Sequence, residues 1–154
     1  MRTAHRAAST AGLSLALGLA GAIGCEPVGP MPGGELSGET AQSLATDWAF
    51  TAAVETVEIE TRPEDPYSVT TWCVGHEGHL YVPTKDPDSR RWVGNLRADP
   101  RVRVRVDGTL YVGRLVEVSD PVEFEAAGAA LIAKYEIERP TAEEKVALFR
   151  LEPL

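Results

Sequence analysis

"HLYVPTKDPDSRRWVGNLRADPRVRVRVDGTLYVGRLVEV" occupies residues 79–118, and its punctuation marks out its elements. "LYVPT" (80–84) is β-rich, and "KDPDS" (85–89) reads as a loop. "RRWVGNLRAD" (90–99) sets Trp92 and Leu96 four apart, the spacing of one helical face, and Pro100 ends that helix. "RVRVRV" (101–106), Asp107-Gly108 and "TLYVGRLVEV" (109–118) predict a hairpin, because Asp-Gly suits a type I′ turn. Alternation puts the valines on one face and Arg101, Arg103 and Arg105 on the other.

Upstream, "SVTTWCV" (68–74) is β-rich, and "GHEGH" (75–79) supplies a turn that makes 80–84 its hairpin partner. "VETVEIETR" (54–62) alternates Val57 and Ile59 with Glu58 and Glu60, the pattern of a half-buried strand. "ETAQSLATDWAFTAAVE" (39–55) spaces Leu44, Trp48 and Ala52 by four and predicts a short amphipathic helix. Downstream, "SDPVEFEAAGAALIAKYEI" (119–137) begins with Asp120 as cap, Pro121 at the first helical position and Glu123 three residues after the cap. "EKVALFRLEP" (144–153) supplies a closing strand. The predicted order is α-β-β-β-α-β-β-α-β. Antiparallel strands of this length close most economically as a small barrel, a mainly β, α+β fold with two or three flanking helices.

The chain has 154 residues, 44% hydrophobic and 25% charged, which suits one globular domain. Arg2, His5 and Arg6 precede "AGLSLALGLAGAIG" (11–24), an uncharged run shorter than a membrane span and of signal-peptide length. It stops at "AIGC". Small residues before a cysteine resemble the lipobox of bacterial lipoproteins, which implies cleavage after residue 24 and lipid attachment at Cys25. An ordinary secretory signal with Cys25 incidental is the alternative. The expected organisation is a signal peptide (1–24), a Pro/Gly-rich tether (25–38) and a barrel domain (39–154). The protein is then expected in the bacterial cell envelope, anchored to the membrane through Cys25 and facing the periplasm or exterior. With Cys25 acylated, Cys73 has no partner for an intramolecular disulfide, and its place between Trp72 and Val74 reads as a buried core thiol.

Residues 89–106 hold six of the fifteen basic residues in a chain of net charge -8. Loss of residues 1–24 would leave 13 basic and 23 acidic residues, a net of -10. Such a body repels polyanions, which argues against nucleic acid as the arginines' partner. Arg101, Arg103 and Arg105 are expected to meet Glu58 and Glu60 across strands or between subunits. Arg90 and Arg91 open a helix, with Thr84 and Lys85 just before. A hydroxyl, an ammonium and two guanidiniums there suit a phosphate group. A solvated helix start paired with Asp86 and Asp88 is the competing account. "HEGH" (76–79) lacks the helical spacing of a zinc-protease motif, so no metal site is expected there. No nucleophile-elbow or phosphate-loop glycine pattern occurs, and no catalytic residue is assigned.

Tyr81, Thr84, Trp92, Asn95, Leu96, Asp99, Pro100 and Val102 match a wider pattern. A strand ends in an aromatic plus Thr or Ser; a Trp-or-basic-x-x-Asn-Leu helix follows, then x-Asp/Asn-Pro-x-Val and a hairpin. It resembles the split β-barrel superfamily, which includes pyridoxamine-phosphate-oxidase-like flavin proteins and deazaflavin-dependent nitroreductases. The resemblance runs from about Val57 to Val118, with "ALFRLEP" similar to the last strand. It implies a small antiparallel split β-barrel that forms a homodimer with FMN or a deazaflavin at the interface. The cofactor phosphate would be held by Thr84, Lys85, Arg90 and Arg91, with Thr70, Thr71 and Trp72 beside the ring. The implied activity is hydride transfer to a quinone or nitro-type acceptor. A cofactor-free binding or interaction domain of the same fold is the alternative.

Overall fold

The computed structural model describes residues 27–29 and 31–154; the expected signal peptide and Cys25 lie outside the described residues. Eight strands form one sheet: β1 (Glu39–Thr40), β2 (Thr56–Thr61), β3 (Tyr67–Trp72), β4 (Val74–His76), β5 (His79–Lys85), β6 (Arg101–Val106), β7 (Thr109–Glu117) and β8 (Val146–Glu152). Helix α1 (Arg91–Ala98) lies between β5 and β6, and α2 (Pro121–Tyr135) between β7 and β8. The strands run in the order β3-β2-β6-β7-β8-β5-β4, with β1 added parallel to β7.

Local chemistry accounts for most of these elements. Asp107 and Gly108 both have positive φ (47° and 80°), and the β6–β7 hairpin closes on them as a type I′ turn. The Asp120 carboxylate accepts from the N–H groups of Val122 and Glu123, capping α2 as expected. Helix α1 is fastened from its buried face. Trp92 meets Phe149 edge to face at 5.3 Å, and Asn95 Nδ2 donates to Thr61 Oγ1 at 2.9 Å. Val57, Ile59, Val102, Val104 and Val106 project into the same core as Val82, Leu115 and Phe149.

Two expectations fail. Residues 39–55 form no α-helix: Glu39–Thr40 pairs with Thr109–Leu110, and only Ala49–Ala53 makes a 3₁₀ turn. Trp48 is buried against Tyr111 (4.9 Å), and Thr51 Oγ1 donates to the Trp48 carbonyl at 2.6 Å. Burial of one aromatic and pairing with β7 outweigh a weak helical period. The hairpin expected between 68–74 and 80–84 is real only at its tip, Val74–His76 with His79–Tyr81. Thr56–Thr61 is the partner of Tyr67–Trp72 instead.

One stretch, 67–76, therefore supplies both ends of the strand order: β3 at one edge, β4 at the other. The changeover is at Cys73, which belongs to neither register. Helix α2 satisfies its backbone. Tyr135 Oη accepts from the Cys73 N–H (3.0 Å) and donates to the Glu55 carbonyl (2.6 Å). Lys134 Nζ donates to the carbonyls of Cys73 and Val54, both at 2.7 Å. Beyond Cys73, β3 and β5 lie side by side without a ladder, joined by Thr71 Oγ1 to the Pro83 carbonyl at 3.4 Å. A residue's N and C=O point to the same side of a strand, so Pro83 turns toward β3 the nitrogen that has no hydrogen. The barrel is split there.

The Pro/Gly-rich stretch is packed on the sheet from Gly33 onward. Gly33 and Ser68 exchange two backbone hydrogen bonds of 2.9 Å. Leu36 is buried, its N–H donating to Glu60 Oε2 at 2.6 Å, and Arg103 and Arg105 donate to the carbonyls of Leu36 and Ser37. Residues 33–38 thus form a strap across the outer face of β2 and β6.

Candidate functional site

The split between β3 and β5 opens into a cavity of about 1090 Å³. Its walls are β3, the end of β5, the start of α1, one face of α2 and the 137–144 loop. All seven residues proposed from sequence line it: Thr70, Thr71 and Trp72 on one side, Thr84, Lys85, Arg90 and Arg91 toward the other. Register explains the first group. Thr71 shares the face of its partner Val57, while Thr70 and Trp72 share that of Glu58 and Thr56, so an edge strand offers both faces to the opening. Trp72 is 40% exposed and stacks on Tyr135, centroids 4.5 Å apart.

The basic corner divides by partner. Asp88 pairs with Arg97 (2.9 Å) and Lys145 (3.6 Å), and Arg97 in particular holds its carboxyl below the usual range. Asp88 is therefore not the partner of Arg90 or Arg91. Arg90 Nε donates to the Lys85 carbonyl (3.0 Å), and the Arg91 guanidinium lies 4.6 Å over the Tyr67 ring. Among the described residues, neither meets a carboxylate within ion-pair distance. Lys85 does: its Nζ is 2.6 Å from Glu144 Oε1, a pair that raises the lysine and lowers the glutamate. Thr84 Oγ1 donates back to the Lys85 carbonyl at 3.2 Å. Two guanidiniums without carboxylate partners among the described residues thus line the cavity and could hold an anion; Lys85 could join them only by leaving Glu144.

The strand arginines behave differently. Arg103 holds Glu60 through Nε (2.9 Å) and Nη2 (2.6 Å), and Arg105 holds Glu58 at 3.2 Å. These cross-strand partners lie directly opposite in the β2–β6 register, as the alternation predicted. Glu60 is only 4% exposed because the strap covers it.

The apolar wall was not legible in sequence. Leu131, Ile132, Ile137 and Leu148 line the cavity, as do Tyr67 and Pro83. The 3.6-residue pattern of α2 identified a buried face but not that part of it borders a void. Glu144 carried no signal at all.

No family model matches the sequence, and no curated protein matches it either. Solved structures do. A conserved hypothetical protein of Mycobacterium tuberculosis aligns over 73% of this chain and 86% of its own, with a TM-score of 0.54 and 19% identity. A candidate pyridoxamine 5′-phosphate oxidase from Listeria innocua aligns over 64% of this chain and 83% of its own, with a TM-score of 0.51 and 14% identity. The fold is the split β-barrel. An FAD-binding protein from Mesorhizobium loti aligns over 65% of this chain and 81% of its own, at a TM-score of 0.48 and 21% identity. At these identities the split-barrel likeness concerns the backbone alone, and the roles of the cavity residues rest on their own geometry.

Proposed function

We propose that this chain is a lipid-anchored protein of the bacterial cell envelope whose split barrel holds FMN or a deazaflavin in the cavity. The observation that carries this reading is the pair Arg90 and Arg91, without carboxylate partners among the described residues at the mouth of a cavity whose far wall is apolar. A phosphate fits the first part. Charge-assisted hydrogen bonds from guanidinium to phosphate are among the strong ones, and the helix start adds favourable dipole. A flat ring fits the second, beside Thr70, Thr71 and Trp72. Such cofactors supply hydride chemistry when bound, here toward a quinone or nitro-type acceptor. The chain's own residues bind and orient: Arg90 and Arg91 hold the anionic end, Trp72 flanks the ring, and α2 keeps water from one side. Lys85 contributes if the anion displaces Glu144 from it.

The same reading includes a homodimer and anchoring through Cys25. The domain should sediment as a dimer at micromolar concentration; a monomer counts against a site shared between subunits. Titration of the purified protein with FMN and with a deazaflavin, followed by fluorescence, is the deciding experiment. Saturable micromolar binding is expected for one of them. If neither binds, the cavity belongs to a cofactor-free binding domain, a reading favoured by the engagement of Lys85 with Glu144.

A further inference from the structure

The first described residues lie at the cavity, not away from it. Gly29 and Pro32 line it. Val28 and Met31 close a tight turn through reciprocal backbone hydrogen bonds of 3.2 and 3.1 Å. Their side chains point outward, 64% and 62% exposed, two large apolar groups together at the surface. The chain is then pinned where Gly33 pairs with Ser68 on β3, the strand that forms the cavity wall. From that pin the strap runs over β2 and β6 to Gly38, which lies against Gly108 in the β6–β7 turn.

Chain length converts this path into a constraint. Cys25 precedes Gly29 by four residues and Gly33 by eight. Fully extended, these segments span about 14 Å and about 28 Å. The turn at 28–31 shortens the second further. A lipid on Cys25 would keep Gly29, which lines the cavity, within about 14 Å of the membrane surface.

We propose that this short leash holds the cavity mouth against the bilayer, with Val28 and Met31 inserted among the headgroups, so that the cavity draws an apolar ligand from the membrane. The inference rests on the anchoring proposed above. Two exposed apolar side chains beside an anchor are useful at an interface and a liability in water. The apolar wall of Leu131, Ile132, Ile137 and Leu148 suits a ligand that partitions into lipid. The opposite end of the strap, at Gly38, meets the β6–β7 turn, whose Asp107 and Gly108 are not among the residues that line the cavity.

The test uses the full-length lipidated protein in phosphatidylcholine vesicles, with a nitroxide on Ser89→Cys at the cavity or on Asp107→Cys at the hairpin tip. Cys73 is buried, and acylated Cys25 is blocked, so the introduced thiol takes the label. The ratio of collision with oxygen to collision with a water-soluble nickel complex should be several-fold higher at position 89 than at 107. Met31→Glu should lower it. So should an insertion of about 20 flexible Gly/Ser residues after Glu26. A diazirine-bearing fatty alcohol dissolved in the vesicles should label α2, and the insertion should reduce that labelling several-fold. Vesicle flotation is measured in parallel. Equal ratios at 89 and 107 in protein that floats overturn the inference while leaving the anchor standing. Undiminished labelling with the long leash also overturns it. Protein that does not float at all removes the anchoring and the inference together.

Discussion

Arg91 and Arg103 carry the same guanidinium into opposite surroundings, and their substitution separates ligand binding from folding. Arg91→Ala removes an exposed group that meets no carboxylate among the described residues. It should change stability only slightly, through the lost contact with the Tyr67 ring, and weaken FMN or deazaflavin binding about tenfold or more, read by fluorescence titration. Arg103→Ala strands Glu60, which the strap keeps from water, and should destabilise the fold by about 3 kcal/mol in urea unfolding. This exceeds what an exposed cross-strand pair would give, because burial of the surviving carboxylate sets the cost. Arg101 offers the contrast. Its pair with Asp99 at 2.6 Å is exposed, and the urea midpoint of Arg101→Ala should stay close to that of the parent protein. Tyr81 adds a dependence on pH. Burial, then its bond to Glu123 (2.9 Å), pushes its phenol up to about 12 from 10.0. The folded state thus keeps a proton that the unfolded chain releases. Stability from this group is complete below pH 10 and falls as pH rises toward 12. Unfolding midpoints at pH 9, 10 and 11 should fall less steeply in Tyr81→Phe; parallel curves would show that Tyr81 is not the source.

At the scale of elements, the decisive feature is the break at Cys73 that sends one stretch of chain to both edges of the sheet. Its energetics lie in α2. Lys134 and Tyr135 occupy the last turn of a helix whose cap is more than a dozen residues upstream. Yet their polar ends satisfy the backbone of Cys73, between β3 and β4, and the carbonyls of Val54 and Glu55 just before β2. Lys134→Met keeps the apolar stem but leaves the carbonyls of Val54 and Cys73 without that donor. A loss of about 2 kcal/mol is expected. Because Trp72 stacks on the adjacent Tyr135, its emission should also change in the folded variant, a readout that a distant destabilisation would not move. Periodicity could not reveal this arrangement. "SVTTWCV" has a uniform β pattern through 68–74, and nothing local marks the residue where its partner changes. Pro83 was the one visible sign of an interrupted edge, and it lay inside a stretch that otherwise read as an ordinary hairpin strand.

For the whole molecule, the strap decides whether the acidic and basic faces of β2 and β6 are surface or interior. Deleting residues 27–38 would expose Leu110 and free Glu60 from the Leu36 N–H. It should cost at least about 2 kcal/mol, the scale of burying one leucine, seen as a lower thermal midpoint than in protein keeping these residues. An unchanged midpoint would mean that the strap contributes nothing. The sequence by itself determined α1, the Asp-Gly hairpin, the Asp120-capped α2, the closing strand and the pairing of Glu58 and Glu60 with Arg105 and Arg103, while Arg101, expected to join them, pairs with Asp99. Each depends on a turn residue, a cap or a two- or 3.6-residue period, interactions that near neighbours settle. The seven proposed site residues were also legible, through their resemblance to the split-barrel pattern, and they meet around one cavity. Only the tertiary structure decided that 39–55 is no α-helix, that the sheet breaks at Cys73 and that residues 33–38 lie across the arginines. It alone placed α2 and the 137–144 loop as walls of the void. Those outcomes turn on which distant backbone and side chain satisfy a given N–H, carbonyl or apolar surface, a competition that leaves no periodic trace in the chain.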